Sequence, residues 1–131
     1  MQRLSIRLFG KPSFEFDGEP WRWAAPPRCL PLLGLLTRSG AGTFSRASLG
    51  AMLWPEDLDS EARTNLRRHL HRMTHALPTI EGADWIRGDN LTVGWDDASP
   101  ATIDVRAYEE LIAAGKAREA AELYRGDFLD G

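Results

Sequence analysis

The chain has 131 residues, of which 43% are hydrophobic and 27% charged, with a formal net charge of -3. That length supports one sizeable core with an appendage at most, and that balance excludes global disorder. No apolar run reaches the roughly 20 residues that spanning a bilayer requires, so no membrane partner is expected. The opening MQRLSIRLFG places arginines where a secretory signal needs its apolar core, and a cytoplasmic protein is expected. Cys29 is the single cysteine, which excludes an internal disulfide and a cysteine-rich zinc site and reads as a small buried apolar residue. Residues 1–80 hold 11 basic and 7 acidic side chains, net +4, whereas residues 81–131 hold 5 and 12, net -7. The second stretch is therefore a poor nucleic-acid surface and suits solvent, another domain or a protein partner.

Leu4, Ile6 and Leu8 alternate with Ser5 and Arg7, the pattern of a half-buried strand. Phe14 and Phe16 read as a second strand, Asp17-Gly18 as a hairpin turn, and Trp21 and Trp23 as one side of a third strand. The prolines at 26 and 27 end that antiparallel sheet. RCLPLLGLLTRSG is apolar nearly all round and predicts a buried helix; Pro31 means that it either begins near Leu30 or bends in its first turns. Ser45 is a suitable N-cap for the next helix, with Ala47, Leu49, Met52 and Leu53 turned inward. Trp54-Pro55 ends it, and Asp59 or Ser60 caps the helix that follows, closed by Pro78.

Residues 62–78, ARTNLRRHLHRMTHALP, hold four arginines, all three histidines and no acid. Ala62, Leu66, Leu70, Met73 and Leu77 are spaced by four, four, three and four, which places them on one helical face. The opposite face carries Thr64, Arg67, Arg68, His71, Arg72 and His75, with Arg63 and Asn65 on its flanks. One side anchors the helix and the other offers arginines and short polar groups, the design expected of a recognition helix. A helix fits the major groove, arginine pairs bidentately with guanine, and other basic groups grip phosphates. The spacing favours Arg67, His71 and Thr64 for groove contacts, while Arg63, Arg68 and Arg72 serve equally well as backbone clamps. The rival reading is a solvated helix face.

Residues 83–95 predict a hairpin with Trp85 and Ile86 on one arm, Arg87-Gly88-Asp89-Asn90 in the turn, and Leu91, Val93 and Trp95 on the other. A basic helix followed by a ribbon is a winged helix-turn-helix arrangement. Arg87 at the ribbon tip would flank the minor groove, and Arg46 at the start of the preceding helix would touch phosphate; ordinary solvated roles compete for both residues and for Arg28. Ile103 and Val105 read as an edge strand or extended link, followed by short helices over 106–114 and 116–125 with apolar stripes of Tyr108, Leu111 and Ile112, then Ala120, Leu123 and Tyr124. His71 and His75 are four apart, but HExxH is absent, and His69 reads as a core-edge residue making a hydrogen bond, so no metal is expected. Asp57, Asp59 and Glu61 are explained by capping and solvation. With no nucleophile triad and no phosphate-cradling Gly-Lys loop, neither enzymatic activity nor a cofactor is expected.

LSIRLFG at 4–10, LGAMLWPED at 49–57, ARTNLRRHLHRM at 62–73 and IDVRAYEELI at 103–112 together resemble the N-terminal DNA-binding domain of the bacterial antibiotic-regulatory type transcriptional activators, whose winged helix is OmpR-like. The closing YRGDFLDG resembles the entrance to the bacterial transcriptional activator domain, a helical repeat module. The resemblance implies an α+β fold with an N-terminal antiparallel sheet, a three-helix core and a C-terminal hairpin wing, followed by short helices. It implies a DNA-binding domain over 1–96 and the beginning of a helical, regulatory or self-associating domain over 97–131. The recognition helix is then 60–77 and the wing 84–94, and the segment Trp54 to Leu58 resembles one that can meet RNA polymerase. Asn65, Arg67 and Arg68 match the family's NLRR word, and Arg72 a common basic position; Thr74 stands where the family often has another basic residue. Expected partners are promoter DNA, as direct repeats, and RNA polymerase. The competing class is a protein-interaction module on the same scaffold.

Overall fold

The structure, a computed structural model, describes residues 2–80 and 84–124. In chain order its elements are β1 (Leu4–Arg7), β2 (Ser13–Phe16), β3 (Glu19–Pro20), a 3-10 turn (Pro27–Cys29), α1 (Leu30–Leu36), β4 (Thr43–Ser45), α2 (Arg46–Leu53), α3 (Asp59–Ala76), β5 (Ile86–Gly88), β6 (Thr92–Trp95), β7 (Ala101–Ile103), α4 (Asp104–Ala113) and α5 (Ala117–Leu123). The fold is α+β, of the winged-helix class. It divides into two compact units, Met1–Trp23 with Thr37–Gly40 and Pro100–Gly131, and Ala24–Leu36 with Ala41–Ser99.

The first unit is built on the sheet β3-β2-β1-β7. β1 and β2 run antiparallel with Ile6 opposite Phe14, and Leu4 and Ile6 are fully buried, as their alternation predicts. Asp17 and Gly18 both adopt positive φ, 53° and 82°, the geometry of a tight hairpin turn. The third strand is shorter than expected: it stops at Pro20, and Trp23 instead stacks on Phe14 with ring centroids 4.8 Å apart. The edge strand expected near Ile103 is present, but it pairs parallel to β1, with Ile6 opposite Ile103. Val105 belongs to α4, which starts earlier than its apolar stripe indicated. The Asp104 carboxylate accepts from the backbone N–H of Leu8 (2.8 Å), Phe9 (3.1 Å) and Val105 (2.7 Å), which ties the helix start to the end of β1. Arg38 donates two bonds to Glu109, 2.8 and 2.7 Å long, a geometry that gives direction more than stability at a half-exposed surface. On the expected stripes of α4 and α5, Ile112 and Tyr124 are exposed. Residues 125–131, including the rest of the YRGDFLDG word, lie outside the described residues.

The second unit holds the three-helix core and the sheet β4-β6-β5. Pro31 is accommodated by a 3-10 turn that precedes the regular helix, so its ring falls in the first turn of α1, where no backbone donor is needed. Ser45 caps α2 as expected, its Oγ accepting from Ser48 N–H at 3.2 Å. The inward face of α2 differs from expectation: Leu49 and Gly50 are buried, whereas Ala47 and Met52 are exposed. The cap of α3 also differs. Leu58 occupies the cap position without a side-chain bond, and Asp59 and Glu61 lie inside the first turn, where their charge favours the positive helix end. The inner face of α3 is buried as read, with Leu66 and Met73 fully enclosed. β4 had no counterpart in the sequence reading. It pairs antiparallel with β6, Phe44 opposite Val93, and turns the hairpin into a three-stranded sheet. Trp85 stacks on Trp95 of β6, and the Trp85 indole donates to Pro78 O at 2.6 Å, which satisfies a buried donor.

Two buried positions test the packing of this unit. Leu66→Ala leaves a cavity in its centre and should lower unfolding free energy by about 2–5 kcal/mol. Gly94→Ala places a Cβ 2.6 Å from the Gly42 carbonyl and should cost about 1–3 kcal/mol through displacement of β4 from β6. Urea unfolding followed by tryptophan fluorescence checks both; a Gly94→Ala variant as stable as wild type would contradict the close strand approach.

Candidate nucleic-acid interface

α3 positions the basic residues. Its period buries Ala62, Leu66, Leu70, Met73 and Ala76 and leaves Arg63, Arg67, Arg68, His71, Arg72 and His75 exposed, with Thr64 and Asn65 half-buried. From Arg63 to His75 the exposed face extends for about 18 Å along the helix axis. No acid interrupts it, because residues 62–78 contain none.

The polar side chains on this helix are partly engaged. Thr64 Oγ1 donates to Ser60 O at 3.0 Å and keeps acceptor capacity outward. Asn65 Nδ2 donates to Asp57 Oδ2 at 2.9 Å, so this amide is held by the loop before α3. His75 Nδ1 donates to His71 O at 2.9 Å, and the two imidazoles lie with centroids 4.2 Å apart. His69 is the core-edge residue expected. Its Nδ1 donates to Asn65 O at 2.9 Å, and its ring meets Trp54 edge-on at 4.9 Å.

The hairpin differs from the expected one in its turn. Arg87 is not at the tip: it lies within β5, opposite Gly94, with its Nε 3.8 Å from Asp96 Oδ2. The turn is made by Asp89 to Leu91. Asp89 Oδ1 accepts from Leu91 N–H and Thr92 N–H, both at 2.8 Å, and from Thr92 Oγ1 at 3.2 Å. Those bonds hold its carboxyl below the usual aspartate range. A side chain closing the turn removes the need for a glycine there, so Gly88 was a misleading signal. Arg46 is braced against the same turn: its Nε donates to Asp89 O at 2.7 Å and its backbone N–H to Leu91 O at 2.9 Å. Arg46, Arg63, Arg67, Asp89 and Asn90 line one shallow basin of about 510 Å³, so the structure gathers Arg46 with the α3 arginines. Asn90 and Leu91, the latter 74% exposed, occupy the tip; the sequence reading assigned Asn90 to the turn without a role and missed Leu91 there.

Burial disfavours the His69 imidazolium, and the Arg28 and Arg72 charges add to that effect; the hydrogen bond to Asn65 only partly opposes it, so the pKa lies below its ordinary value of 6.5. The unfolded chain therefore takes up a proton at higher pH than the folded one. Stability is unaffected by His69 above about pH 6.5 and falls as pH drops below it. Acidification from about pH 7.5 to 5.5 should lower the unfolding midpoint, and His69→Gln should remove part of that slope. Equal slopes in the two proteins would exclude His69 as a source.

No family model matches the chain, and no curated protein is similar to it at a meaningful level. Among solved structures it is similar to Mycobacterium tuberculosis EmbR in complex with a low-affinity phosphopeptide, with a TM-score of 0.66 and 20% sequence identity. The likeness covers 98% of this chain and 38% of that one, so the chain spans well under half the length of its structural neighbour. At that identity the likeness establishes the shared fold.

Proposed function

We propose that the protein binds double-stranded DNA sequence-specifically and activates transcription, with residues 60–77 as the recognition helix and 84–94 as the wing. One observation carries the proposal: a long helix packs one face into a winged-helix core and turns four arginines and two histidines outward with no acid among them. In helix-turn-helix proteins that element enters the major groove, and this spread of donors suits both phosphate oxygens and guanine edges. Within the proposal Arg63, Thr64, Arg67, Arg68, His71, Arg72 and His75 face the DNA, and Arg46 supports the wing side. Arg87 is assigned a lesser role at the minor groove, since Asp96 partly offsets its charge; Asn90 and Leu91 are nearer the hairpin tip.

Residues 1–96 are proposed to carry DNA reading and 97–131 to lead into a helical domain, a reading supported by the exposure of Ile112 on the apolar stripe of α4. Expected partners are direct-repeat promoter DNA in the cytoplasm, a further copy of the protein, and RNA polymerase. Exposed Met52 and Leu58, on either side of the acidic loop, favour a protein contact there and also keep the interaction-module reading in play. No described helix is long and apolar enough to cross a membrane.

Selection from genomic DNA fragments, then titration of the best site at several salt concentrations, tests the proposal. Affinity should fall steeply with salt, and Arg67→Ala should cost about 1–3 kcal/mol and relax base preference. Arg87→Ala should cost less. Absence of any enriched sequence, with no salt-dependent complex, would favour the interaction module.

A further inference from the structure

A second basin, of about 440 Å³, lies on the opposite flank of α3, bounded by the turn before α1 and by the end of α2. Arg28, Arg68 and Arg72 line it, beside Trp54 and Leu32. These arginines come from two elements some 40 residues apart in sequence, and none of the three lies within ion-pair distance of an acid among the described residues. No carboxylate lines the basin there either. The neighbouring acid, Asp57, is engaged by Asn65 at 2.9 Å. The convergence is felt by two other side chains. Burial pushes His69 down and Cys29 up, and in both cases Arg28 and Arg72 shift the balance toward a more negative site.

Three like charges that line one basin with no described acid within ion-pair distance repel one another and are stabilised by an anion. Guanidinium forks match the oxygens of a phosphate, and an apolar wall on one side limits competition from water. We infer that the basin gathered by Arg28, Arg68 and Arg72 seats a phosphate group. The phosphate has two possible sources. One is the backbone of DNA held by α3, which rests on the proposed function; the other is a free phosphoryl ligand, which does not. Arg28 is the residue that the inference adds. It lies outside α3 and has no part in the base-reading surface.

The test has two arms on the whole chain, with Arg28→Gln as the variant and Arg7→Gln as a control for loss of any one surface charge. In the first arm, inorganic phosphate is titrated against chloride at matched ionic strength while the tryptophan indole resonances are followed by NMR. In the second, affinity for the selected duplex and for an unrelated duplex is measured across salt concentrations. If the phosphate belongs to DNA, Arg28→Gln weakens both duplexes by the same factor and reduces the slope of log K against log salt by about one, while Arg7→Gln leaves both unchanged. If a free phosphoryl group is the ligand, inorganic phosphate shifts the Trp54 indole in wild type and much less in Arg28→Gln. A wild-type protein that binds no DNA sinks the proposed function and leaves the phosphate arm to decide this one. Unchanged slopes together with an unmoved Trp54 resonance overturn the inference. A thermal midpoint for Arg28→Gln within experimental error of wild type establishes that any loss is not misfolding.

Discussion

The contact between α2 and α3 at Gly50 and Ala62 orients everything else in the second unit. A Cβ on Gly50 would sit 3.2 Å from the Ala62 Cβ, so the two helices approach as closely as they do because that atom is missing. The approach fixes the rotation of α3 about its axis. Turning it by one residue, about 100°, would bring an arginine toward the core and lift a leucine out of it. Each buried leucine is worth roughly 1.5–3 kcal/mol, and an unpaired buried guanidinium costs several more. The outward array of basic side chains is thus set by the same packing that stabilises the core, and needs no separate device to hold it.

Several acids around this helix are engaged elsewhere, although Glu61 shares a groove with Thr64 and Arg68, and Asp89 lines the wing-side basin. Asp59 and Glu61 sit in its first turn, Asp57 is tied to Asn65, and Asp96 lies beside Arg87 on the hairpin. Asp89 is spent on closing the wing turn through Leu91 and Thr92, and its carbonyl holds Arg46. The turn is therefore fixed at both ends, internally by the carboxylate and externally by the start of α2. That brace gives the hairpin tip a defined position relative to α3, although the hairpin itself is short.

Much of this was legible in the sequence because it is local or long. The periodic stripe from Ala62 to Leu77 identifies α3 and its buried face, alternation identifies β1, and Ser45 and Asp17-Gly18 are signals whose chemistry is complete within a few residues. Two of the departures share a cause, a partner distant in sequence. β4 is three residues long and becomes a strand only through β6, almost 50 residues later. Trp21 and Trp23 have strand propensity, but after Pro20 the ring of Trp23 finds Phe14 without a ladder. Gly88 resembles a turn residue and suggests Arg87 at the tip, whereas the Asp89 side chain makes the turn. Arg28 carried no local pattern at all; only folding brings it to Arg68 and Arg72.

Under the proposed function the charge on α3 is divided by geometry. Arg63 and Arg67 open onto the wing-side basin with Arg46, and Arg68 and Arg72 onto the other with Arg28. Between them run Thr64, His71 and His75, and two of these three have already committed a donor to the helix backbone. A major groove about 12 Å wide presents phosphates along both edges and bases between them. Two arginine groups flanking a sparse polar centre match that arrangement, with most contacts positioning the helix and few reading sequence. Under that reading, discrimination between sites falls mainly to whichever of Arg67 and His71 reaches a base, and repetition of the site along DNA would add specificity that one helix does not supply.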